Sequence, residues 1–311
     1  FTEMLRTGIS WNAVTFICIL KACGNVAAKV KGNEIHAYIV RKGLDHDCEV
    51  GNALVDMYAK CGMLLTAERV LHKLPFRDVV SWNTLLARYV EQGYGRKTLD
   101  HFEKMQQERI SLNSITSVSI LKACSSEGDI ISGHAIHAEI AKKGFEGDLL
   151  VGSTLIDMYS KFGLLRTARG LFDKLKARDS VSWTTLLSGY AEYGYSKEAL
   201  ECLKQMQNEG IFLNEITFVW ILKACCNSRD AIMGQESHAN ITKMGLEREV
   251  LIGNTLVDLY AKCGLFDMAQ ETFHNLPSQD TVTWNALISG YAEHGYSDQA
   301  LRCHEKALRE G

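Results

Sequence analysis

Three tryptophans set the period of this chain. Trp82, Trp183 and Trp284 stand 101 residues apart, inside VSWNTLLARYVEQGYG from Val80, VSWTTLLSGYAEYGYS from Val181 and VTWNALISGYAEHGYS from Val282. Lys21, Lys122 and Lys223 of LKAC keep that spacing, and so do Tyr58, Tyr159 and Tyr260. A unit this long is too large for one supersecondary element, so it must be subdivided. It divides into helix-pair patterns of 35, 35 and 31 residues. In the first, Trp82, Leu85, Leu86 and Tyr89 fall at i, i+3, i+4 and i+7, one helical face, and Gly93 ends the helix. A second helix carries Leu99, Phe102 and Met105, and in the next copy Ser196 is expected as its N-cap. In the 31-residue pattern Leu155, Tyr159 and Phe162 share a face, and Gly163 closes it.

A lone helix pair cannot bury its apolar face, whereas stacked pairs can. The expected fold is therefore all-α: an α-solenoid superhelix of antiparallel helix pairs over one continuous core, without an internal domain boundary. Only 2 of the 311 residues are proline, which suits a helical chain. The pattern runs as a partial 35-residue type unit over 1–12, then 13–47, 48–78, 79–113, 114–148, 149–179, 180–214, 215–249 and 250–280, and a final partial unit over 281–311. About nineteen helices follow. The chain starts at Phe1 without a leader and reads as a fragment or processed form.

A formal charge of −3 argues against a general polyanion binder but not against one basic face. No apolar run is long enough to span a membrane. The 10 cysteines contain no C-x-x-C. Cys61 and Cys263 are equivalent, but the copy between them has Phe162, which no metal ligand can become. Packed, reduced thiols and no metal or other cofactor are expected.

The 35/35/31 alternation with SWNTLL, ILKAC and GNALVDMYAKCG resembles the pentatricopeptide repeat family over the whole chain. It looks most like the plant subclass that alternates standard, long and short motifs, as organellar RNA editing factors do. The resemblance implies that each repeat contacts one base of single-stranded RNA, chosen by the fifth and last residues of a motif. It implies Asn52 with Asp78 for uracil, Asn83 with Asn113 for a pyrimidine, and Ser153 with Asp179 for guanine. Thr184 with Asn214 implies adenine, Asn254 with Asp280 uracil, and Asn285 a pyrimidine. The long motifs carry Ile17/Asp47, Val118/Asp148 and Val219/Glu249; an aliphatic group cannot read a base edge by hydrogen bonding. With the protein N-terminus at the RNA 5′ side, the implied target is 5′-nUYnGAnUY-3′.

The same resemblance implies base-wedging second residues: Val80, Ile115, Leu150, Val181, Ile216, Leu251 and Val282, with Glu49 breaking the series. It implies phosphate contacts from Lys60, Lys161 and Lys262, where the standard motifs carry Glu91, Glu192 and Glu293. It places the protein in a mitochondrion or chloroplast, where it would select a site for C-to-U editing alongside editing-complex proteins. Catalysis is not expected of this chain. The zinc deaminases that follow such repeats carry H-x-E and P-C-x-x-C. HAE at His137 has the copies HAY at His36 and HAN at His238, and no P-C-x-x-C follows, so His137 is expected to pack in its helix. The resemblance implies a fragment without the E and DYW domains, any deaminase lying in such a domain or in a partner. GYGRKT at Gly93 lacks a phosphate-loop order and reads as an interhelix turn. Transcript protection without editing, or a protein-binding helical scaffold, are the alternative functions. No membrane or small-molecule partner is implied.

Overall fold

Aspartate and asparagine start the first helix of nearly every pair. Asn12, Asp47, Asp78, Asn113, Asp148, Asp179, Asn214 and Asp280 each accept a bond from the backbone N–H three residues on, at 2.8–3.0 Å. This satisfies one of the donors that a helix N-terminus leaves unpaired. Glu249, one methylene longer, makes no such bond.

The computed structural model describes residues 11–310. Most of the partial unit 1–12 lies outside the described residues. Eighteen α-helices and one 3₁₀ turn follow, with no strand among the described residues. In chain order they are α1 (Ala13–Asn25), α2 (Lys29–Arg41), α3 (Cys48–Lys60), α4 (Leu64–Lys73), α5 (Val79–Glu91), α6 (Gly95–Gln107), α7 (Ser114–Glu127) and α8 (Ile130–Lys142). The turn Phe145–Gly147 leads to α9 (Leu149–Lys161), α10 (Leu165–Lys174), α11 (Ser180–Glu192), α12 (Ser196–Asn208) and α13 (Glu215–Ser228). The last five are α14 (Ala231–Lys243), α15 (Val250–Lys262), α16 (Phe266–Asn275), α17 (Thr281–Glu293) and α18 (Ser297–Glu310). None is long and apolar enough to cross a membrane.

The helices form two compact units, Phe1–Thr154 and Leu155–Gly311, whose boundary falls within α9. In the first unit the first helices α1, α3, α5 and α7 pack side by side in one layer. In the second, α11, α13, α15 and α17 do the same. Within each unit second helices pack on their own partner and on the next first helix, as α4 does with α3 and α5 and α12 with α11 and α13. Stacked antiparallel helix pairs are the α-solenoid arrangement.

The core follows the tryptophan period. Trp82, Leu85, Leu86 and Tyr89 are buried, as are Trp183, Leu186, Leu187 and Tyr190. Leu99, Phe102 and Met105 are buried too. Gly93 and Gly163 follow their helices at φ +77° and +71°, a left-handed turn that glycine adopts without strain. Two expectations need correction. Tyr195, not Ser196, stands at the N-cap of α12, and it makes no side-chain cap bond. Phe162 lies just past the end of α9 and is only half-buried, because the chain turns away there before its side chain can join the stripe.

All ten cysteines are unpaired. Burial pushes the thiols of Cys124, Cys202, Cys225 and Cys226 up to about 12, so they stay protonated and inert. The packed-thiol reading does not extend to Cys18, which is exposed, or to the half-buried Cys48, Cys263 and Cys303.

The histidines of the long-motif second helices serve packing. His36 Nδ1 lies 2.8 Å from the Tyr58 hydroxyl, and His238 Nδ1 lies 2.7 Å from that of Tyr260. His137 Nε2 meets Glu146 at 2.9 Å. Burial lowers the pKa of His36 and His238 in the fold. An unfolded histidine titrates near 6.5, so below about pH 6.5 the unfolded chain takes up protons that the folded chain refuses. Stability is expected to be undiminished above that pH and to fall below it, well before the carboxylates titrate. Thermal melts at about pH 7.5 and pH 5.5 should show the loss, and replacing both histidines by glutamine should reduce it.

Candidate functional site

The fifth residues sit one helical turn inside the first helices, and Asn83 and Asn254 lie against the caps of the following pair. Asn83 Nδ2 donates to Asn113 Oδ1 at 3.2 Å, and the Thr116 hydroxyl donates to Asn83 Oδ1 at 2.6 Å. Asn254 repeats this: its Nδ2 lies 3.2 and 3.1 Å from the two Asp280 oxygens, and the Thr283 hydroxyl reaches its Oδ1 at 2.6 Å. Asn83 and Asn254 are only 7% and 8% exposed. Asn52 and Thr184 are half-buried and Asn285 is exposed. The Thr184 hydroxyl turns back on its own helix, to the carbonyls of Ser180 at 2.7 Å and Val181 at 3.0 Å. Ser153 is half-buried in the first unit; Asp179 caps α11 in the second.

Asp78, Asn113 and Asp280 therefore have a structural duty as helix caps as well as accepting from the fifth-position asparagines Asn52, Asn83 and Asn254. At Asp78 burial would raise the carboxyl, but hydrogen bonds from Ser81, the Val80 backbone and the Asn52 side chain hold it below the usual range. At Asp280 the Thr283 backbone bond leads, with the Thr283 and Asn254 side chains adding to it, and the result is the same. Both carboxyls are ionised at neutral pH, so they act only as acceptors toward the asparagine.

The second residues form a regular exposed series. Val80, Ile115, Leu150, Val181, Ile216, Leu251 and Val282 are 53–60% exposed. Large aliphatic groups at one repeating position in water are not explained by the core. Sequence reasoning missed Val14, 64% exposed, which the same 101-residue step from Ile115 would have found. In the second unit these elements line an open cavity of about 770 Å³ between α15 and α17. Leu251 and Val282 line it together with Asn254, Asp280 and Asn285, and Lys223 and Asp258 are also in its wall. Its size and its mix of apolar walls with a few convergent polar groups suit a ligand site. Of the long-motif fifth residues, Ile17 and Val118 are half-buried and Val219 is buried.

Each of the three lysines is paired within its own helix. Lys60 meets Asp56 at 2.8 Å, Lys161 meets Asp157 at 2.9 Å and Lys262 meets Asp258 at 3.0 Å. These i, i+4 pairs were legible in VDMYAK, IDMYSK and VDLYAK but were not read from them. Burial works against the Lys262 charge, yet the Asp258 hydrogen bond and charge together with the neighbouring Cys226 outweigh it and raise its pKa. Glu91 meets Arg88, and Glu293 meets Arg229 at 3.2 Å.

Among the described residues, Glu68, His72 and His101 bring metal-capable atoms within 4.8 Å of one another. Glu68 already accepts from the Tyr89 hydroxyl at 3.2 Å and lies 3.6 Å from the Lys104 ammonium. Its copies are Arg169 and Gln270, and Gln270 donates to the Tyr291 hydroxyl at 2.5 Å. The position supplies a partner to a buried tyrosine, with chemistry that varies between copies.

Helix pairs whose first helices stack in a layer within each unit define a helical-repeat protein of the solenoid class. Models of the PPR repeat family match residues 77–126 and 178–227, and models of the PPR repeat match 52–79, 153–180, 254–279 and 282–311. The chain belongs to the pentatricopeptide repeat family. It is 36% identical over its whole length to the chloroplastic pentatricopeptide repeat-containing protein At4g18520 of Arabidopsis thaliana, spanning 50% of that protein. It is 35% identical over 94% of its length to the mitochondrial At3g24000 of the same plant, spanning 46% of it. The chain thus covers about half the length of these relatives. The crystal structure of PPR10 in complex with an 18-nucleotide psaJ RNA element has the same fold, with a TM-score of 0.85 over the whole chain and 47% of PPR10, at 19% identity.

Proposed function

We propose that this chain binds single-stranded RNA, one base per standard or short repeat. The observation that carries the reading is the cavity between α15 and α17. Exposed Leu251 from α15 and Val282 from α17 line it together with hydrogen-bonding Asn254, Asp280 and Asn285. A flat, unstacked base can be gripped between two aliphatic side chains while its Watson–Crick edge meets the polar floor. The base-reading set is Asn52, Asp78, Asn83, Asn113, Ser153, Asp179, Thr184, Asn214, Asn254, Asp280 and Asn285, within the motif boundaries read from the sequence. The preferred RNA is 5′-nUYnGAnUY-3′. Its role is to select a site in an organellar transcript of a mitochondrion or chloroplast for C-to-U editing, the deaminase being supplied by another domain or protein. The organellar names of the relatives and the RNA in the PPR10 crystal support this.

The test is a binding titration with the nine-nucleotide RNA against a scrambled one. Equal or absent binding would leave a protein-binding scaffold as the better reading. The salt dependence of the same titration is a further prediction. The three lysines must exchange an aspartate for a phosphate, and the standard motifs offer glutamate at that point. With about three to four phosphates contacted, the log–log slope should be shallow, about −2 to −3. A steep slope would show that cations elsewhere carry the binding.

A further inference from the structure

Two repeats carry the same fifth and last residues but differ in how the asparagine is held. At Asn254 both ends of the amide are engaged, Nδ2 by Asp280 and Oδ1 by the Thr283 hydroxyl at 2.6 Å. At Asn52 the Oδ1 is buried and has no partner. The cause lies one turn into the next helix. Residue 81 is serine, and its hydroxyl lies 2.6 Å from Asp78 Oδ1 and 3.2 Å from the Asp78 carbonyl. A hydroxyl has one proton to give. Ser81 spends it on its own cap, whereas Thr283 and Thr116 make their shortest contact to the asparagine of the preceding repeat, both at 2.6 Å. All three hydroxyl residues are buried, Ser81 at 1% exposure and the threonines at 0%. The threonine methyl restricts χ1 in this packed site, which serine lacks.

We infer that the third residue of the following repeat is a positioning residue for base selection: threonine there clamps a fifth-position asparagine, and serine leaves it loose. This rests on the RNA reading above. A clamped amide has its oxygen occupied and one N–H spoken for, so it presents a single fixed donor to the base. That suits an acceptor such as the O2 of a pyrimidine and rejects a donor facing it. An amide held at one end can turn about its broad terminal torsion and accept as well as donate, which blurs the choice. Thr217 shows that the clamp needs both members. With Thr184 in place of asparagine, its hydroxyl lies 3.0 Å from Asn214 Oδ1 instead.

The experiment compares the parent chain with Thr283→Val and Ser81→Thr. Each is titrated against two sets of four RNAs, one varied opposite the Asn254 repeat and one opposite the Asn52 repeat. The quantity read is the ratio of affinities for the best and worst base, which a general loss of stability does not change selectively. The parent should discriminate more sharply opposite Asn254 than opposite Asn52. Thr283→Val should lower discrimination at its repeat by about two- to tenfold, the worth of one neutral hydrogen bond, and Ser81→Thr should raise it at the other. A crystal structure of the Ser81→Thr variant should place the introduced hydroxyl within hydrogen-bond distance of Asn52 Oδ1. Unchanged ratios in both variants, with a parent that does discriminate, would overturn the clamp and leave RNA reading intact. A parent that binds none of the RNAs would overturn both.

Discussion

Thr184→Asn is expected to move the preferred base opposite its repeat from adenine to a pyrimidine. The Thr184 hydroxyl donates to backbone carbonyls of its own helix, so toward a base its oxygen can only accept. That complements a donor such as the adenine amino group. Asparagine at 184 would meet Asn214 and Thr217, the residue types that hold Asn83 through Asn113 and Thr116 at 3.2 and 2.6 Å. Its oxygen would then be occupied and its remaining N–H would be a donor. One matched edge contact is worth about 1–3 kcal/mol, by analogy with side-chain reading of DNA bases, or roughly five- to 150-fold in affinity. Binding of both proteins to four RNAs differing at that nucleotide measures the shift. Retained preference for adenine would remove the assignment of this residue to base reading.

The largest stability effect is expected from Trp183→Ala. The ring is fully buried and packs edge-on against Phe172, with centroids 4.4 Å apart. Truncation should cost about 3–5 kcal/mol, a large part of the roughly 5–15 kcal/mol that holds a typical domain folded. Contacts in repeat arrays run mainly to neighbours, so the loss should appear first in α10, α11 and α12, as faster amide exchange and unfolding at lower urea. Phenylalanine makes the finer comparison. Trp183 Nε1 is buried without a partner, whereas Trp82 Nε1 donates to Glu108 at 3.2 Å. Trp183→Phe should therefore cost less than Trp82→Phe, because it removes an unsatisfied donor where the other breaks a bond to a carboxylate. Equal costs in urea melts would show that the Trp183 N–H finds a partner in solution.

The repeat period, the helix pairs and the buried frame of Trp, Leu and Tyr could be read from the chain alone, because they depend on spacing along one helix. The caps could be read in the same way, since Asp78 and Ser81 or Asn113 and Thr116 are three residues apart. The exposed second residues followed from the family pattern, and Val14 was missed only because the 101-residue step was not carried back from Ile115. The pairing of each lysine with the aspartate four residues before it also lay in plain view. None of this could say which polar group ends up holding which across the stack. Asn52 and Asn254 look alike in sequence, with the same closing aspartate 26 residues on. One has a free buried oxygen and the other a bound one. The difference comes from a hydroxyl 29 residues away whose single proton goes either to its own cap or to the preceding repeat. Only the stacking of one first helix on the next brings these groups to 2.6 Å, and at that distance one methyl group on the hydroxyl-bearing residue separates a clamped amide from a loose one.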